Sequence, residues 1–144
     1  MRAIVSKVKQ ATLFSEGKKY SQIGDGLVIF FGVKDDDTID KVPHFAQRIA
    51  KLRVFRDEND KMNLSTVDTN AEIMLVSNFT VYGDTHKTNR PSFTNAARPE
   101  LAEQIYLALA EELKKYAKTC TGVFRTYMNI EMDADGPGTF ILEE

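Results

Sequence analysis

Leu27-Val28-Ile29-Phe30-Phe31-Gly32-Val33 is apolar at every position and runs directly into the acidic stretch Asp35-Asp36-Asp37. A half-exposed strand would alternate, so an unbroken apolar run closed by charged residues predicts a strand buried on both faces, at the centre of a sheet. Upstream, residues 2 to 14 alternate for much of their length (Ala3, Val5, then Val8, Ala11, Leu13). This predicts a strand with one buried face and a bulge near Lys9. Ser15-Glu16-Gly17-Lys18 then supplies a turn.

Downstream, Asp35 to Asp40 can cap a helix running to about Lys51, its stripe made by Ile39, Val42, Phe45, Ala46, Ile49 and Ala50. Pro43 is acceptable only in its first turn. Leu52 to Phe55 reads as a short strand, Asp57 to Lys61 as a turn, and Ile73 to Tyr82 as a second long apolar strand. Gly83 to Arg98 is polar and aperiodic, a loop long enough to suggest a functional role. Pro99 sits where a first helical residue belongs, and Leu101, Ile105, Leu109 and Leu113 form a stripe extending to about Lys118. Alternation returns over Tyr127 to Met132, Asp135-Gly136-Pro137-Gly138 turns, and Thr139 to Leu142 closes the chain as a strand. The expected class is α+β: a curved, largely antiparallel sheet or barrel with two main helices, in one domain spanning residues 1–144.

The 144 residues are 42% apolar and include 9 Phe and 5 Tyr, enough for one core. The single cysteine, Cys120, precludes an intrachain disulfide and reads as a small core hydrophobe. With no CxxC pair or His-Cys cluster, no metal site and no cofactor are expected, and a reducing compartment, the cytoplasm, fits best. The opening MRAIVSKVKQATLF is broken by polar and charged residues, which argues against a signal peptide or a membrane span. A net charge of −2 gives no global attraction for a polyanion, so nucleic-acid contact would need a local basic patch. Thr85-His86-Lys87-Thr88-Asn89-Arg90-Pro91 is such a patch, with Lys87 and Arg90 the candidates for phosphate; it reads equally well as an ordinary exposed loop.

Ser77-Asn78-Phe79-Thr80 is a polar tail on a rigid apolar strand, good ground for a site, although strand ends emerging into solvent carry the same residues. Asp135-Gly136-Pro137-Gly138-Thr139 is either a plain turn or, if the Gly-Pro peptide is cis, a rigid presentation of carbonyls. No Asp or Glu spacing ties His44 or His86 to a Ser or Cys as a triad would require, and without a base Thr80 would hydrogen-bond rather than attack.

Taken together and in order, MRAIVSKV, GLVIFFGV, LRVFRDENDKMNLS, SNFTVYGDTHKTNRPSF, ARPELAEQIY, TGVF and DGPGTF resemble the D-aminoacyl-tRNA deacylase family from Met1 to about Leu142. The family's Ser-Gln-x-Thr strand end is met as Ser77-Asn78-Phe79-Thr80 and its Gly-Pro-Val-Thr turn as Gly136-Pro137-Gly138-Thr139. Asn78 is one methylene shorter than the usual Gln, Gly138 replaces a β-branched residue, and Lys7 stands where Arg is usual.

The resemblance implies an enzyme that hydrolyses the ester of D-aminoacyl-tRNA, and of glycyl-tRNA, as a homodimer without cofactor. In it Ser77 to Thr80 form the catalytic segment, with backbone N–H groups near Phe79 and Thr80 binding the oxyanion and the ribose 2′-hydroxyl helping to place water. A cis Gly136-Pro137 peptide enters the partner's pocket and reads chirality. Phe124 and Met128 pack the terminal adenine, although both also read as ordinary core residues. There are three rivals: a non-catalytic nucleic-acid-binding member of the same fold; an unrelated structural or interaction domain, which the collinear motifs disfavour; and a deacylase of altered selectivity acting on glycine or an L-amino acid mischarged onto tRNA.

Overall fold

A computed structural model describes residues 1–86 and 88–144 of the chain. Its strands β1 (Arg2–Ser15), β2 (Lys18–Ile23), β3 (Gly26–Gly32), β6 (Glu72–Ser77) and β7 (Thr119–Thr121) form a sheet in the order β2-β1-β3-β6-β7, and β8 (Met128–Glu143) lies along β1. Antiparallel pairs predominate, while β3-β6 and β6-β7 are parallel. Parallel neighbours need crossovers, and these are supplied by the helices α1 (Val42–Ala50) and α3 (Pro99–Lys114). A two-stranded ribbon, β4 (Phe55–Arg56) with β5 (Met62–Leu64), and the single-turn helix α2 (Thr66–Thr69) complete the chain. The sheet curls toward closure where Ser21 Oγ in β2 donates to the Thr121 carbonyl in β7 at 3.2 Å.

β3 is buried on both faces, as its composition predicts. Leu27, Ile29 and Phe31 join Ile73 and Leu75 of β6 in the cluster covered by the helices. Val28 joins Met74, Val76, Leu13 and Ile23 in a second cluster inside the curl. β1 passes between the two, with Ala3 and Val5 in the first and Val8, Ala11 and Leu13 in the second. The change of parity is accommodated by a register shift against β8 between Val8 and Gln10, the expected bulge near Lys9. α1 buries Val42, Phe45, Ala46, Ile49 and Ala50, and α3 buries Ile105, Tyr106, Leu109, Ala110 and Leu113, both at helical spacing.

Several boundaries differ from the sequence expectation. The acidic run does not cap α1; a 3-10 turn at Ile39–Lys41 precedes the helix, and Asp37 is instead buried, accepting from the Met1 ammonium at 2.5 Å and from the Lys34 N–H at 2.7 Å. The strand expected over Leu52 to Phe55 is reduced to Phe55–Arg56. α2 was not anticipated, although Ser65 and Asp68 form a reciprocal capping box that the sequence spells out. α3 ends at Lys114, short of Lys118, and Cys120 lies within β7.

The two largest differences fall on the candidate site. β6 stops at Ser77 and the chain turns into a 3-10 segment, Phe79–Tyr82, where a strand to Tyr82 was expected. The Asp135–Gly138 segment does not join two strands. Ser6 pairs with Thr139 and Val8 with Ala134, so one long β8 keeps β1 as its partner on both sides while the residues between bulge out. Gly136 within that protrusion has φ 114, open to glycine, and the Gly136-Pro137 peptide is cis.

Candidate functional site

The end of β6 is fixed before it turns. The Asn78 N–H donates to the Phe31 carbonyl of β3 at 2.8 Å, and the buried Tyr106 hydroxyl bridges the Leu75 and Gly122 carbonyls at 3.0 and 3.1 Å. Burial pushes the Tyr106 phenol up to about 12, so it remains a neutral donor at physiological pH. The extended backbone of Asn78 (φ −146) makes it an N-cap, and its side-chain oxygen accepts from the Thr80 N–H at 3.1 Å and from the Thr80 hydroxyl. The far end of the turn is held by Arg2, whose guanidinium donates to the Val81 carbonyl at 2.7 Å and lies 4.7 Å over the Tyr82 ring. Arg2 and Gly32 position this turn and were not singled out from the sequence. Gly32 is needed because a β-carbon there would sit 2.2 Å from Val81 Cγ2.

A cavity of about 800 Å³ opens beside the turn, and Ser77, Asn78, Phe79, Thr80, Phe124 and Met128 all line it. Six of the residues singled out from the sequence, drawn from two distant segments, thus meet in one place. Phe93 closes one side, edge-on to Phe79 at a centroid distance of 4.9 Å. Phe124 and Met128 also pack against the two buried clusters, so each belongs to both the wall and the core. Gly136, Pro137 and Arg90 do not line this cavity within one chain. Gly136, Pro137 and Arg90 are exposed, and Lys87 lies outside the described residues.

The cavity is largely apolar, and its polar end, at Ser77–Thr80, offers hydrogen-bond donors. Among the described residues Ser77 Oγ has no protein partner, and the Phe79 N–H, first in its turn, is an amide that a short helix leaves without an internal acceptor. The Thr80 N–H is different: it donates to Asn78 Oδ1 within the turn at 3.1 Å. Thr80's hydroxyl hydrogen is likewise engaged, and no imidazole lines the cavity to activate it. The site can polarise a carbonyl and hold an aromatic base against Phe124; among the described residues it offers no nucleophile-base pair.

The exposed protrusion of β8 is braced from below. Lys7 Nζ pairs with Asp135 Oδ2 at 2.7 Å and holds that carboxyl below its usual range, mainly through this hydrogen bond. Lys7 thus supports the Gly136-Pro137 segment through a side chain rather than by a fork onto carbonyls.

A family model described as D-Tyr-tRNA(Tyr) deacylase matches residues 4–143. The D-aminoacyl-tRNA deacylase of Koribacter versatilis is 42% identical over 99% of this chain and 97% of its own length, and that of Thermosipho africanus is 41% identical over the same shares. Among solved structures, the c-Myc DNA Unwinding Element Binding Protein superposes with a TM-score of 0.94 at 35% identity, covering 100% of this chain and 99% of its own. A probable eukaryotic D-amino acid tRNA deacylase reaches a TM-score of 0.86 at 14% identity over 98% and 97%, which establishes a common fold.

Proposed function

Because the chain belongs to the D-Tyr-tRNA(Tyr) deacylase family, we propose that it hydrolyses the ester joining a D-amino acid, or glycine, to the terminal ribose of tRNA in the cytoplasm. The observation that carries this reading is the meeting of Ser77–Thr80 with Phe124 and Met128 around one cavity. The terminal adenine packs on Phe124 and Met128, which brings the ester carbonyl beside the Phe79 N–H and Ser77 Oγ. Charge developing on the carbonyl oxygen is stabilised by these donors as water adds, with the ribose 2′-hydroxyl placing the water. An ester has a good leaving alcohol, and this is consistent with a site that has no general-acid histidine.

Chirality is read by a second copy of the chain. The exposed Gly136-Pro137 protrusion of one protomer enters the partner's cavity, where fixed carbonyls leave no room for an L side chain but pass a D residue or glycine. Lys87 and Arg90 are assigned to the phosphates of the tRNA backbone.

One specific observation favours a second reading, a nucleic-acid-binding protein without turnover: the similarity to a protein named for binding a DNA element. Here the shorter Asn78, occupied in capping its own turn, would mark a site no longer aimed at substrate. Hydrolysis of matched D-Tyr-tRNA, L-Tyr-tRNA and Gly-tRNA separates the two. Turnover of D-Tyr-tRNA and Gly-tRNA with L-Tyr-tRNA spared supports the deacylase; tight binding of all three with no release supports the binding protein.

A further inference from the structure

Beside the main cavity lies a second concavity of about 630 Å³, and the two share Thr126 and Tyr127 as a common wall. Tyr127 is 91% exposed, by far the most solvent-facing of the large apolar side chains. An aromatic ring raised between two hollows buries nothing of its own fold, but it offers a face to a planar ligand on the outer side. Arg125, two residues earlier, is held at φ 58, a left-handed conformation that ordinary residues avoid, and among the described residues its guanidinium makes no hydrogen bond or ion pair. The outer hollow is also lined by Phe14, Glu16, Asn129 and Glu131.

We infer that this outer hollow is a subsite for the nucleotide preceding the terminal adenosine, a cytidine in every tRNA. This rests on the deacylase reading above, which places the adenine in the inner cavity. Thr126 and Tyr127 separate the two hollows, and the proposal routes the substrate chain leaving that adenosine over this shared wall. There Arg125 reaches the connecting phosphate, Tyr127 stacks on the cytosine, and a carboxylate, Glu131 or Glu16, accepts from the cytosine amino group. The carboxylates matter to the choice: they repel a bare phosphate and match a base edge that donates, which uracil lacks at the same position.

The test compares three esters of D-tyrosine, carried on adenosine, on the dinucleotide CA and on the dinucleotide UA, with wild type, Tyr127→Ala and Glu131→Gln. Wild type should have a kcat/KM for the CA ester roughly 10-fold above that for the adenosine ester, the gain residing in KM, as one stacked base supplies. Tyr127→Ala should bring that ratio toward unity, and Glu131→Gln should narrow the preference for CA over UA. Equal kcat/KM for all three esters in the wild type, or a CA advantage untouched by Tyr127→Ala, would overturn the subsite while leaving the deacylase reading in place. Failure of the wild type to hydrolyse any of the three, the adenosine ester included, would overturn the deacylase reading and the subsite with it.

Discussion

A β-carbon on Gly32 would meet both Val81 Cγ2 at 2.2 Å and the Asn78 carbonyl oxygen at 3.2 Å, so the turn carrying the candidate catalytic segment lies on this glycine. Gly32→Ala is therefore expected to push Phe79–Tyr82 away from β3. Overpacking of this kind costs about 1–3 kcal/mol, and a displacement near 1 Å lowers kcat/KM on the order of 100-fold. Urea denaturation and D-Tyr-tRNA hydrolysis measure the two effects; unchanged activity would show that the turn's placement does not matter. Gly138 gives the opposite expectation. Its β-carbon would lie 3.4 Å from Lys7 Cβ and from Phe140 Cε2, ordinary contact, and its φ is outside the left-handed region. Gly138→Ala should raise stability by about 0.4–1 kcal/mol, chiefly by restricting the unfolded chain, read as a higher urea midpoint at unchanged slope.

The elements were legible in the sequence where burial sets the pattern. The unbroken LVIFFGV run gives β3, and the stripes of α1 and α3 give two helices, because a side chain's periodicity records which face it buries. What was not legible depends on register and on local polar bonds. Nothing in Asp135–Gly138 distinguishes a turn between two strands from a bulge in one, since only the pairing of Ser6 with Thr139 and Val8 with Ala134 decides it. Asn78 could have been recognised as a cap, because Asn followed two residues later by Thr suits one, but the apolar run before it favours continuing the strand. The protrusion also yields a prediction at pH extremes. Asp135 titrates below its ordinary 3.8 because Lys7 bonds its charged form. A carboxyl with a lowered folded value stabilises above its unfolded value and loses that contribution as pH falls through the folded one. Lys7→Met should therefore lower the urea midpoint at pH 7, and the difference from wild type should shrink as pH falls below 3.8. Any remainder in acid reports the loss of Lys7 from the Phe55 ring, 5.7 Å away. A difference independent of pH would mean that the ion pair contributes nothing.

Within one molecule the two halves of the proposed chemistry stay apart: Gly136 and Pro137 are exposed on β8 while the cavity beside Ser77–Thr80 opens without them. The proposed two-fold dimer would resolve this, because an isologous interface that puts one protomer's protrusion into its partner's cavity builds the reciprocal site at the same time. Such an arrangement makes a demand that no monomeric enzyme meets. Pro137→Ala leaves a chain with an intact cavity and an impaired protrusion, and Thr80→Val leaves the reverse. Each variant alone should lose most of its D-Tyr-tRNA hydrolysis. Unfolded together and refolded as an equal mixture, half the dimers would be mixed, and each mixed dimer would hold one site built from an intact cavity and an intact Pro137. Recovery to roughly a quarter of wild-type activity is expected for that two-fold geometry, with light scattering confirming dimers and mass spectrometry the mixed species. Mixed dimers formed in that proportion but with activity no higher than the mean of the two variants would place Pro137 and Thr80 at the same protomer's site, and the protrusion would then have to be given a role other than entering the partner.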